Sequence, residues 1–218
     1  MIVYVHIPKT GGSAVTNALR RCFGKANVLH AGSSEENAEL RSASPEELGK
    51  YKAIGAHMPY GSLREVCGDA LYFTILREPF KRIMSLYRHI DRTENHPQHA
   101  LVKSHGIDGW LDYLEDNPEK LWLEHQCYYF GSPAYIGEIA PIPDDLLIGD
   151  YSCLQQSLDT FLAKRGVTAP ELLQVNVAPT EQPLPEKVPE DRIRDLFAED
   201  FRIYEERANL MAIPVTAA

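Results

Sequence analysis

The sequence predicts an α/β fold: a three-layer sandwich whose central, mainly parallel β-sheet is flanked by helices. Two observations carry this. Short apolar runs rich in β-branched residues alternate along the chain with amphipathic helical stretches. The clearest runs break at Gly- or Pro-marked turns that lead straight into a helix, as parallel connections require. With 218 residues, 44% of them hydrophobic, the chain can bury one sizeable core. No internal repeat or low-complexity tract divides it, so residues 1–218 are expected to form a single domain.

The elements follow in order. Ile2 to Ile7 is short and apolar and predicts a buried strand, ended by Pro8-Lys9-Thr10-Gly11-Gly12. Ser13 to Phe23 predicts a helix, because Val15, Ala18, Leu19, Cys22 and Phe23 recur at helical spacing. Gly24 suits its C-terminal cap. Val28 to His30 reads as a short strand, and 31–43 as an exposed loop. Ser44-Pro45-Glu46-Glu47 carries an N-cap, a proline at N1 and a glutamate at N3, which starts a helix. Tyr51 to Ala56 predicts a second buried strand, ending at His57-Met58-Pro59. Ala70 to Leu76 is the clearest strand, and Phe80 to Arg92 follows as an amphipathic helix. Residues 98–130 read as helical pieces broken near Gly106, Asn117-Pro118 and Gly131. Leu146 to Gly149 predicts a strand, and Ser152 to Arg165 a helix stopped by Gly166. A proline-rich loop over 178–189 leads to a helix from Pro189 to Leu210, striped by Ile193, Leu196, Phe197, Phe201 and Tyr204.

Charge and composition remove several functions. Lys and Arg total 22 against 31 Asp and Glu, a net charge of −9. Such a surface does not neutralise phosphate backbones, so nucleic acid is not an expected partner. No apolar run approaches the ~20 residues of a membrane span. No charged leader with a cleavage site precedes the first strand, so the expected compartment is cytoplasmic. Cys22, Cys67, Cys127 and Cys153 form no C-x-x-C pair and read as reduced thiols.

Two segments look built to hold anions. In His6-Ile7-Pro8-Lys9-Thr10-Gly11-Gly12-Ser13 the glycines let backbone N–H groups approach a ligand at a helix N-terminus. Lys9 adds a charge, and Thr10 and Ser13 add hydroxyls. The order is not that of GxxxxGK[ST], since Lys9 precedes both glycines. The strand ending at Leu76 is followed by Arg77 rather than aspartate. An ATPase and a Mg²⁺ site are therefore disfavoured, and no metal is expected. Arg77 forms the second candidate anion site, at a strand end where α/β proteins bind ligands. Lys81, Ser85, Arg88 and Arg92 share one stripe of the next helix, with Arg88 and Arg92 read as an exposed basic face. Two anion sites on neighbouring strand ends suggest a ligand with phosphates at two positions.

These residues resemble a known family. His6-Ile7-Pro8-Lys9-Thr10-Gly11-Gly12-Ser13 is similar to the 5′-phosphosulfate loop of sulfotransferases that use 3′-phosphoadenosine 5′-phosphosulfate (PAPS). Thr74 to Tyr87 resembles their 3′-phosphate segment, LR-x-P-x-x-R-x-x-S-x-Y. Gly55-Ala56-His57 resembles the histidine-bearing strand end of the carbohydrate 2-O-sulfotransferase branch, and Glu124 to Phe130 is a looser echo of it. The resemblance implies a P-loop-like fold with PAPS as donor co-substrate, PAP as product and no metal. Lys9, Thr10, Gly11, Gly12 and Ser13 would hold the 5′-phosphosulfate, and Arg77 and Ser85 the 3′-phosphate. His57 would be the general base, with Lys9 neutralising the leaving phosphate. The family's nucleotide lid corresponds to 176–181, which holds no Lys or Arg.

Of the eight histidines, His57 is singled out because it ends a buried strand beside both anion sites. His6 reads as buried in the first strand, and His30, His96, His99 and His105 as surface. His89 and His125 read as helical, with His125 the reserve base. Trp110, Tyr113, Trp122, Tyr128, Tyr129 and Phe130 read as core, with an acceptor-pocket wall as the sharper alternative. The acceptor is expected to be a small molecule or carbohydrate. A non-catalytic PAP(S)-binding module and an ATP-dependent kinase are the rival functions.

Overall fold

The computed structural model of the chain describes residues 1–131, 141–173 and 188–210. Five strands form one wholly parallel sheet: β1 (Ile2–Val5), β2 (Val28–Ala31), β3 (Ala53–Ala56), β4 (Leu71–Leu76) and β5 (Leu146–Asp150). Their order is β2-β3-β1-β4-β5. Val5, at the end of β1, stands between Ala56 of β3 and Thr74 of β4. From β1 the chain passes to the edge strand β2, returns to β3 between β2 and β1, then crosses to β4 and β5 on the other side. The strand order thus reverses between β1 and β4, where open α/β sheets bind ligands beyond the strands' carboxyl ends.

Helices cover both faces because the strands are apolar on both. Val3, Val5, Ile54, Tyr72 and Ile148 pack on one face, with Leu63 of α4 (Tyr60–Cys67) and Phe130. Ile2, Tyr4, Phe73 and Ile75 pack on the other, against Val15 and Leu19 of α1 (Gly12–Phe23) and Phe161 of α8 (Leu154–Ala163). A third cluster lies to one side of the sheet. It joins Ile83 and Ile90 of α5 (Pro79–Arg92), Trp110 of α6 (His99–Asp116) and Ile193 of α9 (Glu190–Leu196). Trp110 is fully buried there, as the core reading expected. No helix among the described residues is long and apolar enough to cross a membrane.

Three stretches differ from the sequence reading. Residues 31–43, expected as a loop, hold α2 (Ser34–Ser42). The Ser33 hydroxyl accepts from the Glu36 N–H at 3.1 Å, and the Glu36 carboxylate accepts from the Ser33 N–H at 2.9 Å. This capping box starts a helix whose only buried residue is Leu40, so no apolar stripe marked it. The same device starts α3 (Pro45–Leu48), where it was legible. Helix α4 had no expected counterpart. The helix expected over 189–210 is two, α9 and α10 (Ala198–Leu210), broken at the buried Phe197. Around Gly106 and Asn117 the expected breaks occur: α6 kinks at Gly106 and α7 (Pro118–Leu123) follows. The stretch 176–181 and the loop over 178–187 lie outside the described residues.

Candidate active site

The loop from β1 to α1 is shaped by two glycines and one strained lysine. Gly11 caps α1 at φ 90°, so the helix begins at Gly12, one residue before the expected start. A Cβ on Gly11 would stand 2.9 Å from the Tyr151 ring. At Gly12 a Cβ would fall 1.6 Å from His6 Nε2, so only glycine leaves room for that imidazole. Lys9 holds φ 71° without being glycine. Such backbone costs about 1–3 kcal/mol and persists where surroundings impose it. Here they do: the Arg77 guanidinium donates from Nη1 to the Lys9 carbonyl at 2.9 Å.

The Thr10 hydroxyl, expected to face an anion, is fully buried and donates to the Ile7 carbonyl at 2.8 Å. It closes the loop on itself. Ser13 is exposed on the first turn of α1. Only Thr10 and Gly11 separate Lys9 from the start of α1 at Gly12.

Arg77 extends from the end of β4. Its backbone is clamped by buried Gln126, which accepts from the Arg77 N–H at 3.0 Å and donates to its carbonyl at 2.9 Å. Its guanidinium lies over the Tyr151 ring at 4.5 Å. Arg77 Nε is buried and has no hydrogen-bond partner among the described residues; Arg88 Nε is the same. A buried guanidinium nitrogen without a partner is costly unless a ligand supplies an acceptor. Arg88, read as part of an exposed face, is instead half-buried, while Arg92 is exposed. Ser85 is half-buried on α5, three residues before Arg88.

The charges here oppose one another. Burial lowers the Lys9 pKa, and Arg92 and Arg77 lower it further. Burial likewise lowers that of Arg77; Tyr151 and Glu78 oppose this, and Arg82 and Arg88 add to it. Glu78, the carboxylate next in sequence, is turned to the start of α5, accepting from the Phe80 and Lys81 N–H groups at 3.0 and 2.7 Å. In a chain of net charge −9, this local crowding of cations runs against the overall charge.

Arg82, the second arginine of the motif, is wholly buried and holds the scaffold. It donates to the Pro8 carbonyl at 3.3 Å and to the Glu124 carbonyl, and lies 3.9 Å from the Asp200 carboxylate of α10. Asp200 in turn accepts from the Gln126 and Cys127 N–H groups at 2.8 and 3.1 Å. Burial alone would raise its carboxyl, but His125, Arg82 and the Gln126 N–H outweigh that and hold it below the usual range. His125, the reserve base, is itself buried 3.6 Å from Asp200 and belongs to this cluster.

On the other side of the loop, three imidazoles converge. His57 follows β3, and its Nε2 lies 2.9 Å from His6 Nδ1. His30 of β2, expected at the surface, is half-buried and places its Nε2 2.9 Å from the same Nδ1. His6 stacks on Tyr4 with ring centroids 5.0 Å apart. Burial, with His30 adding, pushes the His57 pKa down to about 4, and burial holds His6 well below the usual range. The imidazoles are thus neutral at pH 7, each with a lone pair to offer.

Sequence reasoning named Lys9, the glycines, Arg77 and His57. It missed the scaffold roles of Arg82, Gln126 and Asp200, and the partners His6, His30 and Tyr151. Arg82 stood within the quoted motif. His6 and Gln126 also stood within quoted segments, but nothing local showed what they touch, and His30, Tyr151 and Asp200 are brought in by elements distant in sequence.

Fold and site together define a parallel α/β domain in which a glycine-containing loop and Arg77 meet at the sheet's reversal point. A model of the sulfotransferase family matches residues 1–126, which span β1 to β4, the loop, Arg77 and α5. The chain belongs to the sulfotransferase family, and is a transferase by that membership. No curated protein matches it.

Proposed function

We propose that this chain transfers the sulfuryl group of PAPS to a hydroxyl acceptor, a carbohydrate or small molecule, with PAP as the other product. The observation that carries the reading is the Arg77–Lys9 contact, which joins two cationic sites across the sheet's reversal point. A nucleotide with phosphates at two positions suits that pair. The Nε atoms of Arg77 and Arg88, without a partner among the described residues, suit its 3′-phosphate, with Ser85 three residues before Arg88 on α5.

The donor supplies an activated sulfuryl group on a phosphate leaving group. Lys9, the N–H groups of Gly11 and Gly12, and Ser13 receive the charge that grows on that phosphate when the S–O bond breaks. Thr10 keeps the loop in shape through Ile7. His57 accepts the proton that the acceptor oxygen loses as it bonds to sulfur. A neutral, buried imidazole can do so at pH 7, and general-base catalysis is worth about 10²–10⁴-fold.

The test is PAP formation from PAPS with a panel of simple sugars, alcohols and phenols, in chelator-treated buffer. Wild type is expected to release PAP with at least one acceptor. His57→Ala should lose about 10²-fold or more of that rate while keeping its PAP affinity. Turnover by His57→Ala at the wild-type rate removes His57 from the role. Turnover of ATP in place of PAPS sinks the donor.

A further inference from the structure

One atom, His6 Nδ1, has two neighbours it cannot satisfy as a neutral imidazole nitrogen. It lies 2.9 Å from both His30 Nε2 and His57 Nε2. Such a nitrogen carries either one proton or one in-plane lone pair, so it makes one good hydrogen bond. The ligand atoms of all three histidines lie within 4.8 Å of one another. The surroundings fix this arrangement. Gly12 has no side chain where His6 lies, Tyr4 stacks on His6, and Gly55 leaves a Cβ position 3.3 Å from the His30 ring.

A shared cation resolves the conflict by taking all three lone pairs. A metal about 2.1 Å from two nitrogens that are 2.9 Å apart subtends about 90°, and spreading them by ~0.5 Å reaches the tetrahedral angle. Neutral imidazoles select borderline divalent ions of the first transition row, not Mg²⁺ or Ca²⁺. Glu36 adds a nearby negative charge that acts on both His30 and His57. Three histidines also leave a coordination position open.

We infer that His6, His30 and His57 form a site for a divalent transition-metal ion of the Zn²⁺ class, whose occupancy switches off sulfuryl transfer. The second half rests on His57 being the base. An imidazole bound to metal through one nitrogen keeps its proton on the other, so it has no lone pair to accept the acceptor's proton. Metal and base catalysis at His57 exclude each other. The sequence carried no sign of the site, because its ligands come from three separate strands or strand ends.

The test uses Co²⁺ as a spectroscopic stand-in and Zn²⁺ as inhibitor, on the full chain. Chelator-treated protein is titrated with Co²⁺ and its visible d–d absorption followed; metal content is measured after dialysis. Wild type should bind one equivalent with intense bands, and His30→Ala and His30→Gln should lose them. Circular dichroism checks that both variants fold. Zn²⁺ should lower PAP release from PAPS by about 10²-fold, the worth of the base, and a chelator should restore it. No Co²⁺ bands in wild type, or equal bands in both folded variants, overturn the site. Bands with turnover unchanged or raised by Zn²⁺ uphold the ligands and overturn the switch. A chain that binds Co²⁺ through these histidines yet never consumes PAPS fails the proposed function and leaves the site standing.

Discussion

Arg77 Nη1 lies 2.9 Å from the Lys9 carbonyl, so the residue of the second candidate anion site also braces the first candidate. The brace holds Lys9 in the left-handed region, with its ammonium among other cations. Two sites that look independent in sequence are one mechanical unit.

That unit extends to Tyr151, on which the Arg77 guanidinium lies. Cation–π contacts at partly exposed sites are worth about 0.5–1 kcal/mol. Tyr151→Ala should therefore weaken PAP binding about two- to fivefold, read by calorimetry, and leave the thermal midpoint nearly unchanged. A large stability loss would show that Tyr151 serves the fold instead.

Lys9 separates strain from charge. Lys9→Gly relieves the positive φ and deletes the ammonium. The variant should be as stable as wild type or slightly more so in urea, while PAP release falls by about 10²-fold or more. Wild-type turnover would mean that the ammonium is not the leaving-group partner.

Gly12→Ala should be severe. The new Cβ would occupy the His6 ring position, and His6 cannot move without disturbing Tyr4 and His57. Overpacking of this kind costs about 1–3 kcal/mol, measured as a lower urea midpoint. The pairing of Gly12 with His6 predicts partial rescue by His6→Ala in the same chain.

Arg82→Met tests the buried scaffold. It leaves the Pro8 and Glu124 carbonyls without that donor and the Asp200 carboxylate without its cation. Breaking such a buried pair costs about 3–5 kcal/mol. A loss below about 1 kcal/mol in denaturant melts would show that the pair adds little.

Asp200 sets an acid limit. Its folded pKa lies below the ordinary value, so the folded state binds fewer protons than the unfolded one. Its contribution is full above about pH 4 and is lost as pH falls from there through the folded value. Urea midpoints taken from about pH 6 down to about pH 3 should fall, and fall less in Asp200→Asn. An equal fall in both would assign the acid sensitivity elsewhere.

Much of the fold was legible because its signals are local. The strands Ile2–Val5 and Leu71–Leu76 are apolar on both faces, and glycine or proline punctuates their ends. The positions of the Pro8–Ser13 loop and of Arg77 were legible for the same reason: each sits at a strand-to-helix turn. Helix α2 was not, because one buried leucine gives no periodicity and its capping box was passed over. The histidine cluster was not, because His6, His30 and His57 meet only when β2, β3 and β1 lie side by side. Asp200 was not, because its partners lie more than seventy residues away. Thr10 looked like a ligand contact because a sequence shows a hydroxyl but not its direction.

The most direct measurement is calorimetric binding of PAP, ADP and ATP, without metal, to wild type and Arg77→Ala. The variant also loses the brace on Lys9, so the ratio of affinities is the readout. Wild type should prefer PAP over ADP by about tenfold or more, as a charge-assisted bidentate contact to the extra phosphate allows. In Arg77→Ala that preference should collapse even though both ligands bind more weakly. Equal binding of PAP and ADP by wild type, or a preference that survives the loss of Arg77, would contradict the account.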